Sequence, residues 1–213
     1  MKQMFTGSGK EKIRLAIVKA ESETSAEIVP AFFYKSDDYV EAVWKSITIW
    51  LILSFVTILL LSFDNGMNSK MFIYIPIIVL FSVAAGWVLP NTLDIYKKLL
   101  ISKTTRKKRV MQMAKQIFLE KEVFNTKDRT GVLLFMSFFE KEAVILGDTR
   151  INKLITQNEW NEVMNKLVTG MKEDDVINTI EKTILSLSEL FKKVPRSPVD
   201  KNELKDEIVI GGN

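Results

Sequence analysis

Histidine and cysteine are both absent from the 213 residues. That removes thiolate chemistry, disulfides, the commonest general base and the commonest transition-metal ligand together. Any reaction or ligand must then be served by carboxylates, Lys, Arg, Ser, Thr and Tyr. Among the carboxylates, Asp128 and Asp148 flank two apolar runs, residues 131–138 and 143–146, separated by the polar pair Glu140-Lys141. If those runs form an antiparallel hairpin, the two aspartates lie at one end of the sheet. Glu27, which opens an earlier apolar run, joins them if its strand lies parallel to the first strand of the hairpin. Three converging carboxylates without nitrogen or sulfur donors suit a hard cation, Ca²⁺ or Mg²⁺, bound through oxygen. The competing reading is plainer: aspartates solvated in turns, with Arg129 and Arg150 neutralising them. A hydrolytic use, with a metal-activated water or a carboxylate nucleophile attacking phosphate, is a third use of the same groups. No phosphate-cradling GxxxxGK loop accompanies them, and the GSGK at residues 7–10 has no strand before it. Asp37-Asp38 reads as linker.

Positioning these groups requires an α/β scaffold. Residues 10–22 set Ile13, Ile17 and Ala20 on one helical face, and residues 27–34 are rich in strand formers. Pro30 within that strand lacks the donor that a central strand uses, which implies an edge position or a bulge. Residues 104–123 place Val110, Ala114, Ile117 and Phe118 at helical spacing. Residues 131–138 read as a strand buried on both faces and 143–146 as its returning partner. Two further helices follow, over 152–170 with Leu154, Trp160, Val163, Met164 and Leu167 inward, and over 173–192 with Val176, Ile177, Ile180, Ile184, Leu187 and Phe191 inward. The tail, residues 195–213, is expected to end the domain loosely. The order is that of a small α/β sandwich.

Hydrophobic residues make up 47% of the chain and charged residues 26%, but unevenly: residues 47–90 hold only two charged side chains, Asp64 and Lys70. Within that stretch, residues 47–63 and 71–89 carry no charge. At 1.5 Å per residue each reaches roughly 26 to 28 Å, the thickness of a bilayer's hydrocarbon. Joined by DNGMNSK, they read as a transmembrane hairpin, with Trp44, Trp50, Tyr74 and Trp87 near its ends, where amphipathic rings prefer the headgroup level. A pair of core helices in a soluble bundle is the alternative. The domain organisation expected is therefore a soluble part over 1–46, the hairpin over 47–90, the rest of the soluble part over 91–194, and the tail.

The first apolar run follows more than forty residues of charged sequence, unlike a secretory signal. Lys35, Lys45, Lys97, Lys98, Lys103, Arg106, Lys107, Lys108 and Arg109 flank the outer ends of the spans, against Lys70 alone in the turn. That asymmetry places the protein in the plasma (inner) membrane with both termini in the cytoplasm. The run TTRKKR fits contact with anionic lipid better than nucleic acid, and a net charge of +4 does not call for nucleic acid. Two spans without an intramembrane charge offer no ion path to a transporter or channel unless the chain oligomerises.

Several stretches together resemble one family. TSAEIVP at residues 24–30, RKKRVMQMAKQIFLEKEVFNTKDRTGVLLFMSFFEKEAVILGDTRIN at 106–152, Trp160 and NEL at 202–204 are similar to the TPM domain family, in its bacterial membrane-protein branch with spans inserted after the first strand. The most specific part is T-x-D-R-T-G-V-L-L-F at 126–135, followed by the Gly147-Asp148 end. The resemblance implies a Rossmann-like α/β/α sandwich interrupted by the hairpin. Some relatives are acid phosphatases and some bind calcium through acidic residues at one end of the sheet; by resemblance Asp128 and Asp148 match, with Glu27 a weaker third. In a cytoplasm low in free calcium those groups would be empty or hold Mg²⁺ with several waters. No organic cofactor is expected. The resulting expectation is a membrane-anchored, non-catalytic interaction or assembly module. Its partners would be the lipid bilayer, other membrane proteins or further copies of the chain. A metal-dependent phosphomonoester hydrolase is the alternative.

Overall fold

The computed structural model describes residues 7–65, 71–171, 175–194, 203–204 and 207–211. Along the chain run α1 (Gly7–Glu21), β1 (Glu27–Phe33), α2 (Val40–Asn65), α3 (Met71–Thr92), α4 (Asp94–Leu100), α5 (Lys103–Glu120), β2 (Gly131–Ser137), β3 (Glu142–Gly147), α6 (Thr149–Leu154), α7 (Gln157–Gly170), α8 (Val176–Phe191) and β4 (Val209–Gly211). They divide into two units, Met1–Asp37 with Lys107–Asn213, and Asp38–Arg106.

The first unit is built on one sheet in the order β3-β2-β1-β4. β1 lies parallel to β2, pairing Glu27 with Gly131 through Phe33 with Ser137, and β3 returns antiparallel along β2. Every residue of β1 and β2 is buried, as expected where helices cover both faces of a sheet. Alternation sorts the side chains. Ile28, Phe32, Val132, Leu134 and Met136 point to the face covered by Ile13 and Ile17 of α1, Trp160 and Leu167 of α7, and Ile180, Ile184 and Phe191 of α8. Val29, Ala31, Phe33, Leu133 and Phe135 point to the other face, against Val110, Ala114 and Ile117 of α5. The result is the three-layer α/β/α sandwich expected, with Phe33 and Phe135 stacked at 5.3 Å on the α5 side.

Pro30 is neither at a bulge nor in a true edge strand, and the reason is visible in the hydrogen bonds. Glu27 N–H donates to Thr130 and Phe33 accepts from Phe138, so odd-numbered residues of β1 face β2. Even-numbered residues face β4, as Tyr34 N–H shows by donating to Gly211. β4, however, pairs only with Ala31–Phe33. The β4 side is open at residues 28–30, where the Glu21 carboxylate accepts from Ile28 N–H at 2.7 Å. Pro30 thus lacks a donor where no strand asks for one.

Two other expectations change. Residues 152–170 are not one helix. α6 ends at Ile155, which is extended, and α7 starts behind a capping box in which Thr156 and Glu159 satisfy each other's backbone N–H groups. The tail does not end loosely at residues 209–211, which form β4 beside β1. Residues 195–202 of that tail, the turn at 66–70, and residues 172–174 of the last expected helix lie outside the described residues. α8 begins at its N-cap, Asp175.

The second unit holds α2 and α3, both long and apolar enough to cross a membrane over Val40–Phe63 and Phe72–Thr92. They extend past the charge-free segments by including Val40–Ser46 and Pro90–Thr92. Pro76 sits inside α3. The pair meets closely where Gly86 faces Ile47: a Cβ on Gly86 would lie 2.6 Å from the Ile47 Cα. Small residues at such a crossing let two backbones approach.

Candidate functional site

The rim at the amino-terminal ends of β1 and β2 is built by the loop between α5 and β2. Thr126 Oγ1 accepts from Thr130 N–H at 2.9 Å, and the Thr126 carbonyl accepts from Arg129 N–H at 3.2 Å. The turn so closed forces Arg129 to φ 59°, a left-handed conformation uncommon for a long side chain. The Arg129 guanidinium lies 5.7 Å from the centre of the Phe124 ring. Its Nε is 2.9 Å from the Asp148 carboxylate. Gly131 closes the loop because a Cβ there would fall 1.8 Å from the Val123 carbonyl oxygen. The T-x-D-R-T-G pattern is accounted for as a tight loop that aims Arg129 at Asp148.

Asp148 is brought to the same rim by β3, its N–H donating to the Gly131 carbonyl at 2.8 Å. Its side chain is 5% exposed, and its buried Oδ2 accepts no hydrogen bond among the described residues. Oδ1 accepts from Thr149 N–H at 2.6 Å and from the Thr149 hydroxyl at 3.0 Å, capping α6, while Oδ2 faces Arg129. Asp128 pairs with Arg150 at 3.3 Å, and the two arginines are joined through Arg150 N–H and the Arg129 carbonyl. Glu27 is buried at the start of β1, where its carboxylate accepts from Glu203 N–H at 3.3 Å. Glu203 in turn accepts from Lys127 N–H at 2.7 Å, and Leu204 packs on the α5 side of the sheet. The NEL stretch therefore acts through Glu203 and Leu204 as a clasp across this rim; Asn202 lies outside the described residues.

Asp128, Asp148 and Glu27 do share one end of the sheet, but as three separately engaged groups. Among the described residues there is no cluster of three or more acidic side chains spaced to hold a metal ion. A cation at Asp148 Oδ2 would have to displace the Arg129 guanidinium, and among the described residues no cluster of carboxylates stands beside it, so the donor set as placed does not fit Ca²⁺ or Mg²⁺. A carboxylate 5% exposed and held against a guanidinium is equally ill placed to attack phosphorus.

A buried carboxylate that sequence reading took for a polar turn lies at the opposite rim. Glu140 is only 4% exposed. It accepts from Ser36 N–H at 3.0 Å and from the Ser137 hydroxyl, and Ser36 and Ser137 are themselves 3.0 Å apart. The ligature joins the chain leaving β1 to the β2–β3 turn, where Lys141 takes φ 53°. The S-x-x-E spacing at 137–140 was the available signal.

Residues 98–190 match the family model of the TPM domain, a stretch that includes Asp128 and Asp148 and excludes Glu27. The NMR structure of the BA42 protein from the psychrophilic bacteria Bizionia argentinensis sp. nov. is similar at 18% sequence identity and a TM-score of 0.59. The match covers 97% of this chain and 94% of that one. At that identity the likeness is one of fold. No curated protein matches the chain. The family match runs from α4 into α8 and takes in the T-x-D-R-T-G loop at the rim, so it is over residues 98–190 that the chain is similar to the TPM domain.

Proposed function

We propose that the chain is a membrane-anchored TPM-domain protein whose α/β unit serves as a non-catalytic interaction or assembly module at the cytoplasmic face of the plasma membrane. One observation carries the anchoring. Large apolar side chains of α2 and α3 face outward, with Leu60 at 67% and Phe72 at 72% exposure, and Phe55, Leu80 and Phe81 alike. In water two such helices would hide these groups; in hydrocarbon they are already at their preferred surface. The excess of Lys and Arg at the outer ends of the spans supports termini in the cytoplasm. The non-catalytic part rests on the ion-paired state of Asp128 and Asp148.

The hydrolase reading retains one point in its favour, the gathering of three carboxylates at a single rim. The two readings separate in one assay. Full-length protein in detergent is expected to release no phosphate from phosphomonoesters with Mg²⁺ or Ca²⁺ present, and Asp128→Asn and Asp148→Asn to change nothing. Turnover abolished by both substitutions would establish the hydrolase instead. A reporter fused at Asn68 is expected to score on the face opposite the termini.

A further inference from the structure

α4 is a helix of seven residues isolated from its neighbours by two extended residues, Leu93 (φ −116°, ψ 99°) and Ile101 (φ −110°, ψ 125°). It is therefore a separate element and not the end of α3. Three ties hold it to the start of α2. The Tyr96 and Ser46 hydroxyls are 3.0 Å apart, the Lys45 ammonium donates to the Leu100 carbonyl at 3.1 Å, and Lys97 reaches the Asp38 carbonyl at 3.5 Å. The Lys45 contact satisfies a carbonyl that the last turn of α4 leaves without a helical partner. These contacts set α4 level with Lys45 and Ser46, the last polar pair before the charge-free part of α2. The Gly86–Ile47 crossing brings Trp87 to the same level as exposed Trp44.

At that level α4 does something that packing in water does not explain. Ile95 and Leu99, one turn apart, are 78% and 79% exposed, while Tyr96 between them turns inward to Ser46. An outward apolar pair on a short helix with lysines in the same segment is the pattern of an element lying in a bilayer's headgroup layer. Lys97 and Lys98 on α4 and Lys103 just beyond it supply the charge that anionic headgroups attract, and their stems can follow apolar surface while the ammonium groups stay wet.

We propose that α4 is an in-plane interfacial helix that seats on an anionic lipid surface, Ile95 and Leu99 entering the acyl boundary and Lys97, Lys98 and Lys103 meeting the headgroup phosphates. The proposal rests on the membrane reading of α2 and α3 and adds a lipid class to it. The absence of native cysteine allows a clean test. Full-length Ile95→Cys and Leu99→Cys, and Leu59→Cys within α2 as a reference, are labelled with an environment-sensitive fluorophore. Each is reconstituted in phosphatidylcholine vesicles with or without phosphatidylglycerol. The expected result is a blue-shifted Leu59 probe in both lipids. Probes at 95 and 99 should shift blue in phosphatidylglycerol vesicles, and should be quenched by shallow lipid-borne quenchers. Changing Lys98 and Lys103, neither of which makes one of those three ties to α2, to Gln should weaken that seating, each by about fivefold, from about 1 kcal/mol per basic residue near an anionic surface. A lipid-buried Leu59 probe with water-exposed probes at 95 and 99 overturns the proposal and leaves the anchor standing. Equal shielding in neutral vesicles overturns the anionic preference, and shielding that disappears on dilution of protein in lipid shows a second copy on this face instead. A water-exposed Leu59 probe removes the anchor itself.

Discussion

A methyl group on Gly131 would meet the Val123 carbonyl oxygen at 1.8 Å, and because the obstacle is backbone, no rotamer change relieves it. Gly131→Ala is expected to destabilise the α/β unit by about 3 kcal/mol, the upper end of the usual overpacking cost, read as a lower urea midpoint. Asp148 has two tasks that substitution can separate. Asparagine keeps a cap for α6 and gives up the charge facing Arg129; alanine gives up both. With Arg129 half exposed, solvent screens the ion pair, so Asp148→Asn should cost about 0.5 kcal/mol and Asp148→Ala about 1.5. Equal losses would show that the cap contributes nothing, and no loss in Asp148→Asn that the pair contributes nothing. A third residue ties stability to pH. The hydrogen bond from Lys193, with further bonds from the backbone and hydroxyl of Thr156, lowers the Glu159 carboxyl from the ordinary 4.5 to about 2. A group depressed on folding stabilises above its unfolded value and loses that contribution as pH falls. The stability difference between the native chain and Glu159→Gln should therefore be constant above pH 4.5 and shrink between 4.5 and 2. A difference that does not change with pH across this window would contradict the Lys193 contact.

At the scale of elements, the boundary between α6 and α7 is chemical and local. Thr156 accepts from Glu159 N–H, while the Glu159 carboxylate accepts from Thr156 N–H at 2.9 Å. Thr156→Ala should cost about 1 kcal/mol and fray the first turn of α7, visible as faster amide exchange over residues 157–160. The T-x-x-E signature was in the sequence, but Leu154 and Trp160 fit one helical stripe well enough to hide the break. The α2–α3 pair is decided by contact. Gly86→Leu should separate the helices at Ile47, and in detergent or lipid the expected result is loss of a disulfide engineered across that crossing.

For the molecule as a whole, Asp37 and Arg109 form an ion pair at 2.8 Å close to where the chain leaves and re-enters the α/β unit. Replacing residues 38–106 by a short Gly/Ser linker should therefore leave a unit that unfolds cooperatively and needs no detergent, checked by chromatography and thermal melting. Much of this organisation could be read from local pattern. The charge-free runs, the continuous apolar stretch of β2 and the stripes of α1, α5 and α8 all follow from spacing along a few turns or strand residues, which burial needs in any sandwich. The same pattern placed Asp128 and Asp148 at one end of the sheet, whereas Glu27 joins them only because β1 lies parallel to β2, which spacing does not fix. Spacing does not choose partners across the fold. That Arg129 faces Asp148 and Arg150 faces Asp128 depends on a left-handed turn, and the burial of Glu140 depends on Ser36 arriving from β1. β4 and the outward face of α4 were also out of reach. A three-residue strand and a seven-residue helix carry too little periodicity to announce themselves, and gain their meaning from β1 and α2 beside them. Local periodicity determined the layers and the apolar helix pair. Long-range contact decided which charges are engaged and which surfaces remain open, because ion pairing and burial belong to residues that meet only after the chain has folded.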